Sequence, residues 1–160
     1  MRSEDGGPDH TRLVADADVL AADVLVGDAP RAVLDIVRAH SWLDLIATDP
    51  LLSDAESLIE ECTERDLAIE WRETIEPLVT TVEQPATDHP ALAAAYRGEA
   101  AHLVSLDERL RSPTAGAELR GAMDVSVRSP PAFVAVFDPA VAYDLAFGTE
   151  YPGPDRDPRA

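Results

Sequence analysis

The amino-acid sequence predicts an α/β protein, a three-layer α/β/α sandwich with a central, mainly parallel sheet. Short apolar segments alternate along the chain with segments whose apolar residues recur at helical spacing. This alternation is typical of strand–helix–strand units, in which the strands pair in parallel and helices cover both faces. At 160 residues, of which 46% are hydrophobic, the chain is long enough to bury the core of one such domain.

Five segments are predicted to be strands because they are apolar or β-branched. The first and fourth are apolar runs that lead directly into turns bearing aspartate. The third and fifth, Thr-Thr-Val and Val-Ser-Val, are short and β-branched. The second is longer and suits a strand that is buried on both faces. In chain order, the predicted strands cover residues 13–15, 42–47, 80–82, 102–105 and 125–127.

Helices are predicted between these strands from capping residues and apolar spacing. Asp28 is a favoured N-cap with Pro30 close behind it, and Thr48 or Asp49 begins a helix that continues to Cys62. Cys62 is the only cysteine, which excludes an internal disulfide, and we interpret it as a small buried helix residue. The other predicted helices begin near residue 19 and cover residues 69–78, 91–100 and 114–120.

A single domain with less regular ends is expected. Residues 1–11 are polar and contain Gly and Pro, so they are predicted to be a disordered N-terminal tail. Residues 12–135 contain every predicted strand and form the domain. Residues 136–160 are predicted to be a C-terminal extension that packs on the outside and is loose at its Gly/Pro-containing end. His40, His102, Trp42 and Trp71 are interpreted as packing residues.

The charge composition restricts the protein's environment. The chain has 31 acidic and 13 basic residues, a formal net charge of −18, and all of its bases are arginine. Such a surface repels itself unless salt screens it, and molar salt shortens the Debye length to about 3 Å. The composition is similar to that of cytoplasmic proteins from salt-loving archaea. There is no apolar run near the roughly 20 residues that span a bilayer and no signal-peptide pattern. We therefore expect a cytoplasmic protein with no membrane contact.

Aspartates follow the predicted strands at their carboxyl ends. Asp16 and Asp18 follow the first strand, Asp49 the second, Asp88 the third and Asp107 the fourth. Ligands of open α/β sheets bind outside the carboxyl ends of the strands, so these side chains are candidates for one site. Aspartate is also a favoured helix cap, and this composition supplies it freely. The pattern alone leaves a functional site and simple capping both open.

The order of these segments resembles that of the PIN domain, a family of metal-dependent nucleases. The resemblance covers roughly residues 13–135 and rests on five motifs in the family's order. They are an opening strand with its acid, a strand with a Ser/Thr-led helix, an acid-led alanine-rich helix, a strand followed by Ser/Thr-x-Asp, and a closing strand with a Ser-Pro turn. In this sequence they read LVADADVL (13–20), IATDPLLSD (46–54), DHPALAAA (88–95), AHLVSLDERL (101–110) and VSVRSPPAF (125–133).

The resemblance implies an endoribonuclease that hydrolyses RNA phosphodiester bonds. It assigns Asp16 and Asp107 as the principal ligands of Mg²⁺ or Mn²⁺. Asp54 and Asp88 would complete the carboxylate cluster, and Ser105 would hydrogen-bond a metal ligand or a phosphate. Hard cations of this kind prefer oxygen ligands, and two such ions can activate a water and stabilise the leaving oxygen.

The sequence also departs from the family pattern. Asp54 stands where the family usually has the longer glutamate, and other acids on the same predicted helix compete for that role: Glu56, Glu60 and Glu61. The third acid of the family aligns best with His89, one residue after Asp88. Either Asp88 turns into the site, or His89 replaces the ligand, or the site has decayed there. Asp18 occupies a position where the family often has asparagine.

The sequence therefore leaves two functions open. The first is an active PIN-like ribonuclease with RNA as substrate, and the second is a catalytically inactive PIN-like module that binds a protein or RNA. A phosphoacceptor receiver domain also gathers acids at strand ends, but it needs a lysine and this chain has none. The resemblance adds an antitoxin-like protein and a second copy of the chain as candidate partners. The apolar stretch at residues 132–147 is a candidate interface, and it equally suits a cover over the core.

Overall fold

A computed structural model describes residues 9–83, 89–111 and 125–158. Its strands are β1 (Asp9–Ala15), β2 (Asp44–Ala47), β3 (Val79–Thr81), β4 (Ala100–Val104) and β5 (Ser126–Arg128). Its helices are α1 (Ala17–Leu25), α2 (Asp28–Ala39), α3 (Asp49–Cys62), α4 (Arg65–Ile75), α5 (Pro90–Arg97), α6 (Pro130–Val136) and α7 (Pro139–Phe147). A single 3₁₀ turn, Glu76–Leu78, joins α4 to β3.

The five strands form one parallel sheet in the order β3-β2-β1-β4-β5, flanked by helices. This confirms the predicted α/β/α class. Strand β1 is central, with Leu13 opposite Leu45 of β2 on one side and His102 of β4 on the other. From β1 the chain proceeds outward to β2 and β3 and then returns to the other side of β1 as β4 and β5. The direction of winding therefore reverses between β1 and β4.

The core surrounds the central strands. Leu13, Val14, Leu103 and Val104 are at most 1% exposed, which is the burial expected for parallel strands covered on both faces. Helix α1 packs against α2 and α3, and α5 packs against β4 and β2. In the described parts of the chain, no helix is long and apolar enough to cross a membrane.

Several local expectations need adjustment. Strand β1 begins at Asp9, inside the segment expected to be a tail. Gly27, with a φ of 87°, is the N-cap of α2, so Asp28 is its first residue and not its cap. Thr48 does cap α3, because its side chain accepts a hydrogen bond from the Leu51 amide at 3.1 Å. Cys62 is exposed, so the prediction that it is buried is wrong. The helix predicted at 114–120 lies outside the described residues.

The C-terminal segment packs against the end of α2. The amides of Asp155 and Arg156 donate to the carbonyl oxygen of Ala39 at 3.0 and 3.1 Å. Asp155 accepts hydrogen bonds from the amide and hydroxyl of Ser41. The buried ring of His40 bonds the hydroxyl of Tyr151. The two amide bonds to Ala39 satisfy a carbonyl group that the end of a helix leaves without an intrahelical partner.

Candidate functional site

The acids expected at one site lie where the winding of the sheet reverses. Asp16 comes directly after β1, while Ser105 and Asp107 come directly after β4, and β1 and β4 are adjacent parallel strands. The point where strand order reverses opens a crevice at the carboxyl ends of the strands, which is where α/β folds bind ligands. Two predicted site aspartates and the predicted supporting serine are thus brought to the same edge.

Asp16 is held in one orientation by two hydrogen bonds. Its Oδ1 accepts from the amide of Ala17 at 2.8 Å, which makes Asp16 the N-cap of α1. Its Oδ2 accepts from the hydroxyl of Ser105 at 2.8 Å. The residue is 7% exposed. Asp16 therefore caps α1 and also contacts the residue that follows β4.

Ser105 connects the ends of three strands. Its hydroxyl donates to Asp16 and accepts from the amide of Asp107 at 3.0 Å. Its own amide donates to the carbonyl oxygen of Arg128, the last residue of β5, at 3.0 Å. The residue is fully buried. In this structure Ser105 hydrogen-bonds a predicted metal ligand, the first of the two roles expected for it.

Asp18 joins the cluster, although the motif comparison did not assign it to the site. Its Oδ1 accepts from the amide of Leu106 in the loop after β4 at 3.3 Å. Burial, and after it the nearby carboxylates of Asp16 and Asp107, raise the pKa of Asp18 to about 6 against the opposing effect of backbone hydrogen bonds. The signal available from the sequence was its place two residues after Asp16, which also suits a solvated first-turn acid.

Asp107 lies at the rim of the cluster and has a cationic partner. Arg109 donates to its carboxylate through the backbone amide at 2.9 Å and through two guanidinium nitrogens at 3.3 Å each. These hydrogen bonds hold the pKa of Asp107 below its usual range. The Arg109 side chain is 91% exposed, and an ion pair in so exposed a position contributes little to stability.

The other predicted site residues are not hydrogen-bonded to Asp16, Ser105 or Asp107 in the described structure. Asp54 is exposed on α3, and the described part of the chain gives it no hydrogen bond or ion pair. Asp88 lies outside the described residues. His89 is the N-cap of α5, where its Nδ1 accepts from the Ala91 amide at 3.2 Å. Beside the hydrogen bonds from Arg109, the charge of His89 makes a small contribution to the lowered pKa of Asp107.

The competing glutamates on α3 are not part of the cluster. Glu56 lies 3.9 Å from Arg72 of α4, and Glu60 and Glu61 are exposed. Arg72 also binds Asp49, the acid that follows the second strand. Asp49 is therefore used in holding α3 to α4, and among the strand-end acids only those after β1 and β4 meet in the described structure.

One family model matches the chain over residues 7–159, and its description is a family of unknown function, DUF7384. The chain belongs to this family. No curated protein and no solved structure matches it. What this DUF7384 chain does is therefore argued from its own side chains.

The donor atoms of the cluster have the chemistry that a hard divalent cation requires, but their positions do not form a coordination site. Carboxylates of Asp16, Asp18 and Asp107 with a serine hydroxyl offer only oxygen atoms, the ligands that Mg²⁺ and Mn²⁺ prefer. Within residues 9–83, 89–111 and 125–158, however, no three His, Cys, Asp or Glu side chains are arranged to hold a metal ion. Asp107 is instead paired with Arg109. The donors fit the ion chemically, and binding would require Asp107 to exchange one cation for another.

Proposed function

We propose that this chain is a PIN-like, Mg²⁺- or Mn²⁺-dependent endoribonuclease that hydrolyses RNA phosphodiester bonds. Asp16, Asp18 and Asp107 are its candidate metal ligands, and Ser105 positions the first and third of them. Asp18 takes the place that the motif comparison gave to Asp54. The observation that carries the proposal is the meeting of these acids at the reversal point between β1 and β4.

The geometry supports the proposal because these acids cannot be explained as ordinary surface charge. Asp16 is buried and both of its carboxylate oxygens are fixed. Asp18 is partly buried beside it, and no arginine forms an ion pair with either residue in the described structure. Adjacent carboxylates of this kind repel each other, and a cation between them removes the repulsion. A bound divalent ion would supply an activated water and a charge that stabilises the leaving oxygen.

The chain's own residues would perform three tasks. The N-cap bond and the Ser105 hydroxyl keep the Asp16 carboxylate in place, so it needs no reorganisation on binding. The Leu106 amide orients Asp18. Arg109 leaves Asp107 at little cost, since the pair is exposed, and a guanidinium released at the rim suits an RNA phosphate, which it binds with two parallel hydrogen bonds.

The acidic, lysine-free composition supports a cytoplasmic location in a salt-adapted cell. Counterion release adds little to RNA binding at high salt, so phosphate recognition would depend on the site itself.

The exposed apolar residues of α6 and α7 support a homodimer or an antitoxin-like protein partner on these helices. They are Val134, Val136, Val141 and Leu145. Light scattering of the purified chain in molar KCl tests the dimer.

The experiment is a comparison of Mn²⁺ binding and cleavage of labelled single-stranded RNA in molar KCl. Asp16→Asn and Asp107→Asn are expected to lose both activities while retaining the fold by circular dichroism. Asp54→Asn is the matched control, because it removes the same charge from a residue that the structure leaves outside the cluster. It should bind metal and cleave like the wild type. Loss of activity in Asp54→Asn alone would move the site to α3 and refute this assignment.

A catalytically inactive PIN-like interaction module is the second candidate. It is favoured by one observation, that no metal-holding group is assembled among the described residues. A wild-type protein that neither binds Mn²⁺ nor cleaves RNA would support the module and end the nuclease proposal.

A further inference from the structure

A second cavity lies at the opposite edge of the sheet from the acids. Its volume is about 610 Å³, and its walls come from the end of α2, the turn before β3 and the C-terminal segment. Residues lining it are Arg38, Thr74, Pro77, Leu78, Arg156, Asp157 and Pro158. Because α2 ends before β2 begins and the turn Glu76–Leu78 precedes β3, this cavity lies at the amino ends of those strands. Cavities of 300–1,000 Å³ are typical of small-molecule sites.

The cavity brings two guanidinium groups together in a strongly acidic chain. Arg38 is fixed from behind by the buried carboxylate of Asp23 and by Asp35. Arg156 is fixed by its Nη2, which donates to the carbonyl oxygens of Val37 at 3.2 Å and His40 at 3.0 Å. Each arginine is therefore held in place by atoms outside the cavity, which is how a preorganised anion site is built.

The two arginines differ in how far their charge is neutralised. Arg38 has two carboxylate partners. Arg156 forms no ion pair with an acid among the described residues, and its nearest contacts are neutral carbonyl groups. A guanidinium carries five N–H donors, and the two hydrogen bonds to carbonyl groups use only Nη2 of Arg156. The hydrogen bonds from Ser41 lower the pKa of neighbouring Asp155, and the positive charge of Arg156 adds to that effect.

The rest of the lining indicates the kind of ligand. Pro77, Leu78 and Pro158 form apolar wall, and the hydroxyl of Thr74 donates to the Glu70 carbonyl at 2.9 Å, which leaves its oxygen able to accept. Among the described residues, Asp157 is the one acid in the lining, and a compact anionic group would therefore lie away from it, near Arg156. The volume exceeds that of a bare anion, so the ligand also has an uncharged body.

We propose that this cavity binds a small organic anion, a phosphate or carboxylate compound, with Arg156 as the principal contact and Arg38 beside it. Arginine binds either group with two parallel hydrogen bonds. The ligand would join the C-terminal segment to the turn before β3. This site is independent of the acid cluster and does not rest on the proposed ribonuclease activity.

The test is calorimetric titration of the full chain with pyrophosphate and, in a separate experiment, with succinate. Both titrations are done in EDTA at constant KCl concentration. EDTA removes divalent ions, so the acid cluster cannot hold the anion through a metal. Saturable binding with Kd below about 10 mM is expected for at least one probe, and the tighter of the two identifies the ligand's charged group. No saturable binding of either probe overturns the proposal.

Two variants establish where the anion binds. Arg156→Gln should weaken binding about tenfold, as expected for loss of a charge-assisted hydrogen bond. Arg97→Gln, which removes the same charge from an exposed residue of α5, should stay within about twofold. Equal losses in Arg156→Gln and Arg97→Gln would show non-specific attraction and overturn the site.

Discussion

Replacement of His102 by phenylalanine should remove an acid-sensitive part of the protein's stability. The imidazole lies on β4, among the rings of His10, Phe133 and Phe137 at centroid distances of 5.5, 5.6 and 5.3 Å. Both of its nitrogens are buried without a hydrogen-bond partner in the described structure. Burial, and after it the neighbouring charges of His10 and Arg128, lower the pKa of His102 to about 4.

The magnitude follows from proton linkage. Between the ordinary histidine pKa of 6.5 and the folded value of about 4, the unfolded chain binds a proton that the folded chain excludes. The contribution is therefore fully present above pH 6.5 and is lost as the pH falls toward 4. At about 1.4 kcal/mol for each pH unit, the loss approaches about 3 kcal/mol. Phenylalanine fits the aromatic cluster and has no proton to bind, so the loss should disappear.

The assay is urea unfolding of wild type and His102→Phe at several pH values between 7 and 4, at one KCl concentration. The difference between the two free energies of unfolding should grow in favour of the variant as the pH falls. Phe133→Leu is the matched control, because it changes packing in the same cluster without changing any titrating group. It should destabilise equally at every pH. If the wild type and His102→Phe lose stability in parallel down to pH 4, the imidazole is not excluded from protonation and the reasoning fails.

Three further outcomes are expected. Asp18→Asn should raise the free energy of unfolding at pH 7 by about 1–2 kcal/mol after allowance for solvent screening. The reason is that a carboxyl whose pKa is raised to about 6 destabilises the folded state once it ionises, so urea titrations should show no gain below pH 4. Asp23→Asn should lower the free energy of unfolding by about 3 kcal/mol, because it leaves the charge of Arg38 without its buried partner. A loss no larger than that of an ordinary surface substitution would contradict a stabilising role for the Asp23–Arg38 pair. Gly98→Ala should lower the stability of the folded state by about 1–3 kcal/mol, since a Cβ there would clash with the side chain of Ile46. An unchanged temperature of thermal unfolding would show that Ile46 can move aside without loss of stability.

The fold could be predicted because its strands are short apolar runs between strong capping residues. Each of the five predicted strands overlaps an observed one, and the alternation with helices sets their parallel pairing. The start of β1 could not be predicted, since residues 9–12 are polar and become a strand only by pairing with β4 and β2. Strand propensity depends on such neighbours more than on the residues themselves.

The site could be predicted only in part, for a related reason. Asp16 and Asp107 are visible because each follows an apolar run, and the reversal of winding brings those two ends together. Asp18 was not distinguishable from a solvated first-turn acid until the loop after β4 was placed beside it. Asp54 was chosen by motif position, and whether it bears on function stays a prediction. The docking of residues 151–156 on α2 depends on contacts more than 100 positions apart, which no local pattern signals.

The junction between β1 and β4 also has a consequence for how the chain acquires its site. The hydrogen bond from Ser105 to Asp16 joins residues 89 positions apart, and two strands, β2 and β3, intervene in the sequence. Closing so long a loop costs entropy before any contact compensates for it, so sheets with this connectivity form slowly. The acids therefore meet only after this long loop has closed. A nascent chain released before residue 105 would contain Asp16 and Asp18 but would lack Asp107 and the loop after β4, beside which Asp18 lies.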